Sequence, residues 1–182
     1  MSIFITSDLH LGHNRNFVYE PRGFSSIEEH DAAIVENINK YVGPNDELYL
    51  LGDLVLNDNE QGIAHLKQLQ CQHLYLVFGN HETNNRLVDY HQNLSNLGFL
   101  GYAVPFVVGK KHFMLSHYPM ATTNFDDDKK PWQRVYNLCG HSHQKEKWDA
   151  HTDSIHCELD AWDNRPASID EILQLIKERC GI

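Results

Sequence analysis

The chain has 182 residues, 41% hydrophobic and 22% charged, and its 15 Lys and Arg against 25 Asp and Glu leave a formal net charge of −10 at pH 7. This length suits one domain, residues 1–182, with a substantial core, and the composition is that of a soluble globular protein. No apolar run approaches the ~20 residues of a membrane span, and the acidic balance disfavours long nucleic acid and anionic lipid as partners.

Met1-Ser2-Ile3-Phe4 carries no basic stretch ahead of its apolar part, so no secretory signal is expected. A first strand is predicted over residues 3–7. Ile27, Ile34, Ile38 and Tyr41 fall near helical spacing over residues 26–41, with Ser25 and Glu28 as a capping box. Residues 47–51 form a second strand. Residues 60–69 form a helix with Ile63, Leu66 and Leu69 on one face, and 73–78 a third strand. A helix over 85–97 stops at Gly98. Residues 99–108 and 111–116 read as a hairpin about Gly109-Lys110. Residues 119–133 lack periodicity, and the run from Asp126 to Lys130 within them reads as a solvated loop. Strands follow over 134–139 and 154–159. A last helix starts at Ser168, with Glu171 completing a capping box, and runs to about Cys180. The alternation predicts the α/β class, with a mixed sheet or two sheets. Cys71, Cys139, Cys157 and Cys180 form no Cys-x-x-Cys pair and read as reduced thiols of a cytoplasmic protein, Cys139 and Cys157 in the core.

Nearly every predicted strand ends in residues suited to metal binding. They are Asp8-Leu9-His10, Gly52-Asp53, Gly79-Asn80-His81, Ser116-His117 and Gly140-His141-Ser142-His143. Ligands in α/β folds bind at the carboxyl ends of strands. Convergence of these ends places two carboxylates, one amide and four histidines about one point, with His81 beside them. On an extended chain Asp8 and His10 point the same way and grip one ion, whereas His141 and His143, at a turn, can each face a different ion. The remaining histidines, at 30, 65, 73, 91, 112, 151 and 156, and the tryptophans 132, 148 and 162 have no such context and are expected at the surface or in packing roles.

This ordered set, with Glu82 after His81, resembles the signature of the calcineurin-like metallophosphoesterase superfamily, over nearly the whole chain. The segment from Asp160 to Pro166 resembles the small single-domain bacterial and phage members. The resemblance implies an α/β (α+β) fold, a four-layer α-β-β-α sandwich with two facing mixed β-sheets. It implies two divalent ions, the first held by Asp8, His10, Asp53 and His143, the second by Asp53, Asn80, His117 and His141, with Asp53 bridging. His81 then stands beside the ions without ligating them. Many relatives have an acidic residue three positions after the bridging aspartate, which orients that histidine. Here the position is Leu56, and Asn57 or Asp58 are candidates for the role.

Two divalent ions outweigh two carboxylates, even with a bridging hydroxide, so an acidic protein presents a positive centre where a phosphate docks. Such a pair makes hydroxide available as a nucleophile at neutral pH and clamps the phosphoryl oxygens. His81 is the candidate general acid. The expected activity is hydrolysis of a small phosphate monoester or diester. Mn2+ is the first choice of cofactor, and the mixed O/N donor set also suits Fe, Zn2+ or Ni2+. His13, Asn14 and Arg15 are candidates for the substrate rim, Arg15 with a fork suited to phosphate. A non-catalytic binding module and a nuclease are the alternatives. The complete ligand set opposes the first, and net charge and small size oppose the second.

Overall fold

The computed structural model describes residues 1–122, 130, 133–149 and 151–181. Strand β1 (Ile3–Thr6) is the anchor of a five-stranded sheet with β2 (Glu47–Leu50), β3 (His73–Val77), β4 (Leu97–Gly101) and β10 (Ala167–Ser168), in the order β10-β1-β2-β3-β4. The four strands β1 to β4 are parallel, and β10 is antiparallel to β1. Parallel strands are buried on both faces, which is why these segments read as nearly continuous apolar runs. Phe4, Leu48, Leu50, Leu74 and Leu76 turn to one face and pack with Ile34, Val35 and Ile38 of α2 (Ile27–Tyr41), Ile63 and Leu66 of α3 (Asn59–Leu66), and Tyr90 of α4 (Asn84–Asn93). Each fully buried Ile or Leu contributes about 1.5–3 kcal/mol.

Ile5 and Val77 turn to the other face. There they meet Phe113, Leu115, Tyr136, Leu138 and Ile155 of a second five-stranded sheet, together with Ile169, Ile172 and Ile176 of α5 (Ile169–Cys180). That sheet has the order β5-β6-β7-β9-β8, from β5 (Ala103–Val108), β6 (Lys111–Ser116), β7 (Val135–Cys139), β8 (Trp148–Asp149) and β9 (Ser154–His156). Strands β6, β7 and β9 run parallel, and the edge strands β5 and β8 run antiparallel. This is the expected α/β sandwich of two facing mixed sheets. Cys139 and Cys157 are core residues, as the sequence indicates.

Several local expectations shift. Helix α2 is capped by Ser26, whose side chain accepts from Glu29 N, one residue beyond the predicted pair. Glu29 in turn receives the backbone and hydroxyl of Ser25. Helix α4 ends at Asn93, because Leu97 pairs with Leu74 instead of extending the helix, and Gly98 sits inside β4. The predicted strand 99–108 is two strands in two sheets, parted at Gly101, whose φ of +99° suits glycine. Strand β9 stops at His156, and Leu159 opens a 3-10 turn to Ala161. The short helix α1 (Asn16–Tyr19), the 3-10 turn Glu20–Arg22, β8 and β10 carry too few residues for periodicity to reveal. The hairpin at Gly109 and the Ser168–Glu171 capping box stand as read. Residues 123–129, 131 and 132, which include Asp126 to Lys129 and Trp132, lie outside the described residues.

Candidate metal centre

The parallel strands β1, β2, β3, β6 and β7 deliver their carboxyl ends to one place. Past the strand ends the chain keeps pairing, Asp8 N to Gly52 O at 3.0 Å, His10 N to Asp53 O at 3.0 Å and Gly140 N to His117 O at 2.9 Å. Asp8 and His10 do not continue an extended strand, as the sequence suggested. Asp8, His10, Asp53, His141 and His143 all have left-handed φ, of 58°, 50°, 56°, 73° and 49°. A non-glycine residue enters that region at about 1–3 kcal/mol, strain that concentrates at functional sites. The turns, not strand alternation, aim these side chains. Gly52 lets two of the ends meet: a Cβ there would stand 2.7 Å from Cα of Gly79 and 2.8 Å from Nδ1 of His117.

All seven candidate ligands converge. Nε2 of His10 lies 3.2 Å from Nε2 of His143, and Oδ1 of Asp8 lies 3.7 and 3.8 Å from those two atoms. Oδ2 of Asp53 is 4.0 Å from Nε2 of His10 and 3.4 Å from Nε2 of His117. Nε2 of His117 is in turn 2.8 Å from Oδ1 of Asn80 and 3.2 Å from Nδ1 of His141. Two groupings follow, Asp8 with His10 and His143, and Asp53 with His117 and His141. A third joins Asp53 to His10 and His81, so Asp53 faces both sides. Donors ~2.1 Å from one ion in a tetrahedron sit ~3.4 Å apart, and the spacings here, from 2.8 to 4.0 Å, bracket that value. Oδ1 of Asp8 is buried without a hydrogen-bond partner, which fits a cation.

The electrostatics follow from this crowding. Burial alone would raise the Asp8 carboxyl, but His10, His117 and His143 outweigh it and hold it well below the usual carboxylate range. Burial would lower His117, yet Asp53 and Asp8 raise it to about 9. Nδ1 of His117 donates to Leu51 O at 2.8 Å, leaving Nε2 aimed at the site. Burial pushes His10 down, and pushes His13 to about 4 with help from His10.

Sequence reading missed the supports of these ligands. Glu82 accepts from Asp53 N at 2.8 Å, Leu54 N at 3.0 Å and Gly79 N at 2.7 Å, tying two strand ends together. Asp160 accepts from Nδ1 of His143 at 2.9 Å and is held by Arg22 through Nε at 3.1 Å and Nη2 at 2.8 Å. Arg22 also donates to Asp8 O at 2.8 Å and contacts Nε2 of His30 at 3.0 Å, and Nδ1 of His30 bonds Asp31 at 2.8 Å. His30 is therefore a fully buried member of a polar network, and His156 is buried between Ser142 and Glu158. Glu82 lies two positions after Asn80, so adjacency to a candidate ligand was its signal, whereas Asp160 lies 17 positions from His143 and had only the resemblance of the segment it opens. Arg22, His30 and Asp31 carried none.

His13 lines the cavity above the ligands together with His81, while Asn14 and Arg15 are exposed and do not line it. Neither Asn57 nor Asp58 orients His81: Asp58 caps α3 through Gln61 N. The ring of His81 instead has Nε2 3.8 Å from Oδ2 of Asp53.

The calcineurin-like phosphoesterase superfamily domain matches residues 1–157. The chain belongs to this superfamily. It is accordingly a metal-dependent phosphoesterase, and its Asp/His groupings are ones that could hold a metal ion. Relatives include an uncharacterised protein of Methanocaldococcus jannaschii, 28% identical over 97% of this chain and 92% of its own length. The gene 66 protein of Mycobacterium phage L5 is 27% identical, over 95% of this chain and 93% of its own. A protein of unknown function from Aquifex aeolicus shares the calcineurin-like fold, with a TM-score of 0.68 and 22% identity over 96% of this chain and 98% of that one. Among the described residues, no helix is long and apolar enough to cross a membrane.

Proposed function

We propose that this chain, as one calcineurin-like domain over residues 1–182, hydrolyses a small phosphate monoester or diester at a centre of two divalent ions. In this reading Asp8, His10, Asp53 and His143 hold the first, and Asp53, Asn80, His117 and His141 the second. The observation that carries it is the shared position of Asp53, whose carboxylate faces ring nitrogens of both groupings. Bound there, divalent ions supply Lewis acidity toward the phosphoryl oxygens and make water nucleophilic at neutral pH. The mixed carboxylate, amide and imidazole set favours Mn2+, with Fe, Zn2+ or Ni2+ as further fits.

The protein's own groups divide the remaining work. Glu82 fixes the backbone under Asp53, and Asp160 fixes the ring of His143. His13 and His81 both line the cavity, but His13 is neutral at pH 7, since burial lowers it to about 4. His81, whose ring opens on the cavity beside Asp53, is the group placed to deliver a proton to the leaving oxygen, a role worth ~10²–10⁴ in rate. The four cysteines are all free thiols, in keeping with a reducing, cytoplasmic setting.

The test is hydrolysis of p-nitrophenyl phosphate and bis-p-nitrophenyl phosphate by EDTA-stripped protein, before and after addition of Mn2+, with elemental analysis of the reloaded protein. Turnover dependent on metal, at two ions per chain, is expected. Well-folded protein inert with Mn2+, Fe2+, Zn2+ and Ni2+ alike would instead favour a binding module.

A further inference from the structure

The metal-binding groups occupy one part of a cavity of about 700 Å3. Away from them, its described lining is largely apolar: Phe17 and Val18 of α1, Pro21 of the adjoining 3-10 turn, and Leu56. Val18 is buried and belongs to the core, but Phe17 is 71% exposed. The Phe17 ring nevertheless stands next to the site. It stands edge-to-face with His13 at 5.5 Å between centroids, and the His13 ring lies 5.5 Å from that of His10. An exposed aromatic surface thus begins two rings from the candidate ligands and is continuous with them. Exposed apolar surface of this kind, joined to a polar centre, marks a ligand site.

The chemistry of the wall narrows the occupant. A sugar would need converging polar groups. Asp160, at the cavity, is already taken by Arg22 and His143, and Lys145 is the remaining cation of the described lining. A long acyl chain would need an enclosed tunnel, whereas Phe17 and Pro21 face solvent. A flat ring fits a short open wall that ends in an exposed phenyl face.

We propose that the Phe17–Val18–Pro21–Leu56 wall binds an aromatic or heteroaromatic group of the phosphoester substrate, stacked on Phe17, so that Phe17 determines specificity. The proposal rests on the phosphoesterase reading above and names its substrate class. Ring stacking on an aromatic side chain is a recurring, sequence-tolerant way to hold a nucleobase or aryl group.

Phosphonates test the wall without the confusion of leaving-group reactivity, because the C–P bond is not cleaved. Phenyl-, cyclohexyl- and methylphosphonate are compared as competitive inhibitors of bis-p-nitrophenyl phosphate hydrolysis and, by calorimetry, as ligands of the Mn2+-loaded protein. Phenylphosphonate should bind about tenfold or more tighter than methylphosphonate, with cyclohexylphosphonate between them. Phe17→Ala, at an exposed position that leaves the fold intact, should bring phenyl and methyl to within about twofold while methylphosphonate binds as before. Phe17→Tyr should keep the preference. Equal affinity of phenyl- and methylphosphonate in the natural protein overturns the proposal. So does a phenyl preference that survives Phe17→Ala, or cyclohexylphosphonate binding as tightly as phenylphosphonate. If none of the three binds while bis-p-nitrophenyl phosphate is still hydrolysed, the wall's assignment falls alone, whereas absence of hydrolysis with every metal overturns the proposed reaction itself.

Discussion

Nδ1 of His143 donates to Oδ2 of Asp160 at 2.9 Å, and Arg22 grips the same carboxylate through Nη2 at 2.8 Å and Nε at 3.1 Å. This contact orients the His143 ring so that Nε2, the other ring nitrogen, faces Asp8 and His10. Asp160→Ala should therefore weaken the ion of the Asp8–His10–His143 grouping by about 10–100-fold, while the Asp53–His117–His141 grouping keeps its affinity. Two-step calorimetric titration with Mn2+ separates the sites. Because Ala deprives the buried Arg22 of its carboxylate partner, stability should also fall, and Asp160→Asn should recover part of both losses. Unchanged affinity at both steps in Asp160→Ala would remove the positioning role.

Asp53 faces Nε2 of His10 on one side and Nε2 of His117 on the other. Asp53→Asn should disturb both sites together, lowering bound Mn2+ from two ions per chain toward one or none. The backbone of residue 53 stays tied to Glu82, so the fold should hold. Elemental analysis that still finds two ions per chain would contradict a shared ligand.

His81 belongs to one of the three groupings able to bind metal, and its ring opens on the cavity. His81→Ala should lower kcat by about 10²–10⁴ with metal content unchanged. Loss of an ion from this variant would make His81 a ligand, and an unaltered kcat would remove the acid assignment.

Far from the centre, Glu171 pairs with Arg165 at 2.7 Å, which lowers its carboxyl to about 2. A depressed folded-state value adds stability that is fully present above the unfolded value near 4.5 and is lost as pH falls toward 2. Glu171→Gln keeps one acceptor oxygen for the capping box and removes the charge together with the second acceptor, which faces Arg165. The side chains are 40% and 20% exposed, so screening keeps the effect below about 1 kcal/mol. In urea unfolding the variant should be slightly less stable at pH 7, and the gap should narrow as pH drops below 4.5. A gap that widens on acidification would contradict this pairing.

The sequence by itself determined which side chains meet at the centre, because Asp8, His10, Asp53, Asn80, His117, His141 and His143 each follow an apolar run long enough to read as a strand. Five parallel strands then bring their ends together for a reason that is general to such sheets. Chain order also carried most of the elements, since helical and strand periods are local. Only the tertiary structure decided the rest. Arg22 and Asp160 stand 138 positions apart, and no local pattern couples them. The division of residues 97–108 between two sheets depends on whether Leu97 finds Leu74, a partner distant in sequence. The left-handed turns at Asp8 and His10 are likewise imposed by neighbours, against the local preference of the chain. Ligand identity is a short-range property of strand ends, while the supports that fix each ligand are long-range contacts that exist once the two sheets face each other.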